Sequence, residues 1–87
     1  MKKIIQVQEV EGEGLTKLLG QKVTLFCARY IYSGVLEGVN ESCVLLKDAE
    51  IVYETGALNT AKWEVAEKLP GEWYVNLTSI ESYGVLK

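Results

Sequence analysis

The stretch Tyr30-Ile31-Tyr32-Ser33-Gly34-Val35-Leu36-Glu37-Gly38-Val39, residues 30–39, decides how this chain folds. β-Branched and aromatic residues dominate it, and such side chains pack well on a pleated surface. Two glycines, Gly34 and Gly38, interrupt the pattern. Inside a strand, glycine marks a place where the backbone bends hard or another backbone comes close. A strand with two such points predicts a short sheet that curls, as small barrels do.

Working outward, Lys22 to Ala28 alternates, with Val23, Leu25 and Cys27 on one face, and reads as the preceding strand. Asn40-Glu41-Ser42 is a turn, and Cys43 to Tyr53 is the following strand, with Val44-Leu45-Leu46 as its buried run. Upstream, Leu15, Leu18 and Leu19 have the spacing of one or two helical turns, stopped by Gly20. Residues 1–14 precede this as an N-terminal arm or an added edge strand, with Glu11-Gly12-Glu13-Gly14 marking its end. Downstream, Trp73 to Leu77 and Ile80 to Leu86 read as the last two strands. Between them, an insertion at about residues 55–71 admits two readings. Trp63, Ala66 and Leu69 have helical spacing, with Asn59 or Thr60 as a cap and Pro70-Gly71 as a stop; a twisted hairpin fits nearly as well. The expected fold is mainly β: five core strands behind one short helix, in one domain over residues 15–87.

Composition narrows the function classes. With 87 residues, the chain forms one domain, and 48% apolar against 24% charged residues is globular composition. No apolar run is long enough to span a membrane. Met1-Lys2-Lys3-Ile4-Ile5 opens like a signal peptide, but Gln6, Gln8 and Glu9 break the apolar stretch early, so the expected location is cytoplasmic. Cys27 and Cys43 lack CxxC spacing and read as reduced core thiols. There is no histidine, which removes the commonest general base and metal ligand. Glu9, Glu11 and Glu13 read as a solvated face, and no phosphate loop or nucleophile elbow occurs. The chain is therefore expected not to be an enzyme and to need no cofactor or metal. A net charge of −3 supplies no global field for a phosphate backbone, so nucleic-acid binding would need a local site.

The final strands raise an edge problem. From Trp73 to Leu86 the only charge is Glu81, and there is no proline or lysine. Uncharged, β-prone strands recruit other chains if left as open edges. Burial within the subunit covers such an edge; so does strand addition from a neighbour, and a head-to-tail contact of that kind closes into a ring if its rotation closes.

Leu15-Thr16-Lys17-Leu18-Leu19-Gly20-Gln21-Lys22-Val23-Thr24-Leu25 resembles the helix-to-first-strand entry of Sm-like (Lsm) proteins. Tyr32-Ser33-Gly34-Val35-Leu36-Glu37-Gly38-Val39-Asn40 is similar to the family's aromatic-x-Gly-x-Leu-x-small-hydrophobic-Asp pattern, and Val44-Leu45-Leu46-Lys47-Asp48-Ala49 to the end of that motif. The interval from Gly34 to Lys47 fits the bacterial Hfq branch without a gap. Tyr74-Val75-Asn76-Leu77-Thr78-Ser79-Ile80 stands, more loosely, where the family has a hydrophobic-Arg-Gly or Tyr-Lys-His run. The resemblance implies an SH3-like bent five-stranded antiparallel barrel, with the fourth strand of one subunit pairing with the fifth of the next around a pore. Trp73, Tyr74, Val75, Leu77, Ile80, Tyr83 and Val85 are then the expected subunit-interface residues of a homo-oligomeric ring.

The family's RNA pocket is mostly missing. Asn40 stands for the Asp that orders the turn, Ser42 for the stacking aromatic and Asn76 for the Arg. Stacking contributes about 1–3 kcal/mol per base, so the loss at Ser42 matters. Asn40, Ser42 and Asn76 remain as polar pore candidates or as plain turn residues. Arg29, in the turn where the family usually has Asp-Gly, is a fourth candidate or a solvated turn residue. Tyr30, Tyr32, Trp63, Trp73, Tyr74 and Tyr83 offer stacking surfaces or serve as core and interface aromatics. Two functions follow as expectations. One is a ring-forming subunit that binds RNA or single-stranded nucleic acid weakly at its pore. The other is a scaffold or connector ring in a larger protein assembly, with no RNA role.

Overall fold

The computed structural model describes residues 14–87. Six strands form one antiparallel sheet: β1 (Lys22–Cys27), β2 (Ile31–Val39), β3 (Cys43–Glu54), β4 (Val65–Lys68), β5 (Trp73–Asn76) and β6 (Ile80–Gly84). The spatial order is β4-β3-β2-β1-β6, and β5 also pairs with β3. The 12-residue β3 is long enough to take two partners along one edge. Its first part pairs with β5 (Cys43↔Asn76 to Leu46↔Trp73) and its second with β4 (Glu50↔Lys68 to Glu54↔Val65).

Two expectations change. The count is six strands rather than five, because the insertion contains the extended segment β4 and no helix. The sheet is also not closed into a barrel: among the described residues nothing pairs β6 with β4 or β5. A three-residue 3-10 turn (Leu77–Ser79) links β5 to β6, and β6 then pairs with β1 at the far side of the sheet. The two ends of the sheet approach through that turn without sharing a ladder. The leucine-rich entry forms a 3-10 turn over Leu15–Leu18, and Gly20 behind it takes the left-handed backbone, φ 85°. The expected arm or edge strand falls almost wholly outside the described residues.

The glycines of β2 mark the bends. Between Ser33 and Val35 only Gly34 faces the two residues Asp48 and Ala49 on β3, and Asp48 takes a left-handed φ of 52°. One residue facing two is a bulge, which bends and twists the ladder. A Cβ on Gly34 would stand 3.0 Å from the Lys47 carbonyl oxygen, so the close approach requires glycine. Before Gly38, Glu37 is the extra residue on β2, because Leu36 faces Leu46 and Gly38 faces Leu45.

Each bulge reverses the inward parity of its strand. On β2, Leu36 is buried before Glu37 and Val39 packs against the core after it. On β3, Val44 and Leu46 are buried before Asp48, and Ala49 joins the same core after it. The run Val44-Leu45-Leu46 is therefore not continuously buried: Leu45 faces the other side and is half-buried. The core comprises Val23, Leu25, Leu36, Val44, Leu46, Ala49 and Val75, with Leu15, Leu18, Cys27 and Tyr32 among the side chains packed at its margin. Cys27 and Cys43 are both free thiols.

Candidate functional site

Three turns are tied together by backbone hydrogen bonds. The first, between β2 and β3, is organised by Asn40. Its side-chain oxygen accepts from the backbone N–H groups of Ser42 and Cys43, each at 2.8 Å, and from the Ser42 hydroxyl at 3.0 Å. The Asn40 N–H also donates to the Cys43 carbonyl at 3.0 Å. This is an Asx turn, which a short amide or carboxylate side chain builds by imitating a backbone carbonyl. Asn40 can thus fill a turn-ordering Asp's structural role. Its carbonyl oxygen is spent on the turn, and only the amide NH2 remains to donate outward.

The second turn is Leu77–Ser79. The Leu77 N–H donates to the Ser42 carbonyl at 2.9 Å, and the Ser79 hydroxyl donates to the Asn76 carbonyl at 2.8 Å. The third is the β1–β2 turn carrying Arg29, closed by Cys27 N–H to Tyr30 O at 3.0 Å. Its Ala28 N–H donates to the Ser79 carbonyl at 2.9 Å. Residues 77–79 therefore tie both other turns to themselves. Asn40, Ser42, Asn76 and Arg29, scattered in sequence, lie along one rim.

The electrostatics of this rim are not basic. Arg29 is its cation, and Glu41 and Glu81 lie on the same turns or beside them. Burial pushes the Cys27 thiol up from its ordinary value; the Ser79 hydroxyl pulls it down and the Glu81 charge adds to the rise. A thiol held protonated in this way is a poor nucleophile. Among the described residues no group of three or more His, Cys, Asp or Glu side chains could hold a metal ion. No helix of the described residues is long and apolar enough to cross a membrane.

Tyr74 is the functional candidate whose position matters most. It is 66% exposed and pairs across strands with Leu45. Together with Gly38, Val39, Asn40, Cys43 and Leu45 it lines a shallow pocket of about 220 Å³ beside the Asn40 turn. Sequence places no aromatic within that turn; the fold brings one next to it from another strand.

The expected interface residues divide into two groups. Tyr74, Tyr83 and Val85 are exposed on or just beyond β5 and β6. Val75 is a core residue of its own subunit, and Trp73, Leu77 and Ile80 pack partly against that core. Neither the outer edge of β5 nor that of β6 has a strand partner among the described residues. Of the remaining aromatics, Tyr30 and Tyr32 meet edge to face, centroids 6.5 Å apart. The chain matches no protein-family profile and no characterised protein.

Proposed function

We propose that the chain is an Sm-like subunit that assembles head to tail, β5 of one copy against β6 of the next, into a ring serving as a structural scaffold or connector. The observation that carries this reading is that β5 and β6, at opposite ends of one sheet, each present an edge with no strand partner among the described residues. Tyr74 stands on one edge, and Tyr83 and Val85 on or beside the other, all exposed in the single subunit. Two different edges joined by strand addition make a heterologous contact, which a ring closes without leaving the β5 or the β6 edge open. The strand order and the bulges at Gly34 and Gly38 are compatible with the Sm-like resemblance. The scaffold role rests on the rim: its Asn40 carbonyl is consumed by the turn, Arg29 is its only cation among the described residues, and Ser42 stands where the resemblance puts the stacking aromatic.

A second reading, weak binding of single-stranded RNA at the rim, is favoured by the pocket that Tyr74 shares with Asn40. An exposed ring above a pocket of this kind offers a base a stacking surface, and repetition around an assembly would multiply a weak contact.

Tyr74→Lys and Tyr83→Lys place a charge on each edge without touching the core. Sedimentation velocity is expected to show a smaller species for each, with an unchanged circular dichroism spectrum. Variants that sediment like the parent would rule out these edges. For the rim, fluorescence anisotropy with short U-rich and A-rich RNAs at low and moderate salt decides between the readings. No salt-sensitive signal leaves the scaffold alone; a signal lost in Tyr74→Ala establishes the RNA contact.

A further inference from the structure

The Lys87 side chain ends in a cage made by the insertion loop. Its Nζ donates to the carbonyl oxygens of Thr55 and Ala57, each at 2.8 Å, and its third hydrogen is shared between the Lys62 carbonyl and the Thr60 hydroxyl, each at 3.1 Å. The same nitrogen lies 4.5 Å from the centre of the Trp63 ring. Tryptophan is the best of the aromatic faces for a cation, and about 6 Å is the outer limit of that contact.

Three carbonyl oxygens aimed at one point repel each other unless a cation occupies it, the arrangement by which backbone carbonyls replace an ion's hydration shell. The loop has no ladder that would impose the convergence: residues 55–64 lie between β3 and β4 and belong to neither, and the Thr60 N–H, which donates to the Ala57 carbonyl at 3.2 Å, fixes only one of the three oxygens. The Thr60 hydroxyl lies 2.7 Å from the Ala57 carbonyl and donates to it, leaving an oxygen lone pair for the ammonium. An ammonium has three rotatable donors and suits oxygens spread around a point; the planar fork of a guanidinium does not.

We propose that residues 55–63 form a receptor for a primary ammonium group, filled in the single chain by its own Lys87. The receptor orders the insertion loop only when occupied, and it latches the segment after β6 across that loop. An incoming lysine ammonium must displace Lys87 to enter.

The test uses the full chain with Lys87→Met, followed by ¹H–¹⁵N correlation spectra. Loss of the ammonium is expected to move or broaden the amides of residues 55–63 and the Trp63 indole signal, while the amides of β1, β2 and β3 stay in place. Methylammonium chloride is then expected to return those signals toward their parent positions saturably. Tetramethylammonium at equal ionic strength, which cannot donate hydrogen bonds, is expected not to, and the parent protein is expected to respond to neither. The proposal is overturned if Lys87→Met leaves the loop signals unmoved, or if the two cations act alike on the variant. Trp63→Leu in the Lys87→Met background is expected to weaken the methylammonium response; an undiminished response would remove the ring from the receptor.

Discussion

Replacing Gly34 with alanine probes the bend on which the sheet depends. An alanine Cβ would stand 3.0 Å from the Lys47 carbonyl oxygen, 3.1 Å from the Ala49 Cα and 3.2 Å from the Leu46 Cβ. Two of the three are backbone atoms of β3, held by the β2 ladder and, at Ala49, by the Leu69 N–H that donates to its carbonyl at 2.9 Å, so they cannot swing away as a side-chain tip would. Overpacking of this kind costs about 1–3 kcal/mol. Alanine also restricts the unfolded chain, which returns about 0.4–1 kcal/mol. A net loss of about 1–2 kcal/mol remains. With a urea dependence of about 1 kcal/mol per molar for a small domain, the unfolding midpoint should fall by about 1–2 M. Gly38→Ala is the internal control, since its Cβ meets only the Leu45 Cβ at 3.8 Å. It should be neutral or slightly stabilising. Both variants need the same protomer concentration, because assembly would add to apparent stability. A Gly34→Ala midpoint equal to or above that of Gly38→Ala would refute the argument from close approach.

Two further outcomes follow from the polar groups of the sheet. The hydroxyls of Thr24 and Ser33, register partners on β1 and β2, are buried without hydrogen-bond partners among the described residues. Thr24→Val should therefore raise stability by about 1 kcal/mol, read from the urea midpoint, and a loss would show that the hydroxyl has a partner. The Glu37 carboxyl is held above its ordinary value by a hydrogen bond with Glu72, by desolvation and by the charge of Glu72, against the pull of Lys47. A carboxylate whose folded value lies above its unfolded one takes up protons on folding, so its contribution favours the fold at low pH and is lost as pH rises through the folded value. Stability should rise on acidification just above the ordinary glutamate range, and Glu37→Gln should remove that rise while raising the midpoint at neutral pH.

The bends were legible in sequence because glycine inside an otherwise β-prone run has few other uses. Gly34 and Gly38 both fall at shifts in the β2–β3 register. Parity was not legible. Val44-Leu45-Leu46 reads as three buried residues when their number is counted, but the strand alternates and Asp48 resets it one turn of the pleat later. The insertion was ambiguous for a physical reason: all four residues of β4 are exposed, so no apolar periodicity records the strand. Hydrogen bonding to β3 holds it instead.

The rim was half legible. Asn40 in a turn predicts an Asx turn from local chemistry alone, and the structure has one. Its convergence with Arg29 depends on backbone bonds from two turns to residues 77–79, and sequence spacing carries no sign of these. Tyr74 reached the Asn40 turn through its pairing with Leu45, a relation between strands of distant sequence. The Lys87 cage is still less visible, because its acceptors are main-chain oxygens, which every residue has.

Assembly is the central claim, and native mass spectrometry of the unmodified chain at micromolar concentration tests it most directly. A head-to-tail ring predicts one discrete oligomer whose subunit number stays constant as protein concentration is varied. A monomer throughout that range, or an open ladder of sizes growing with concentration, would contradict it.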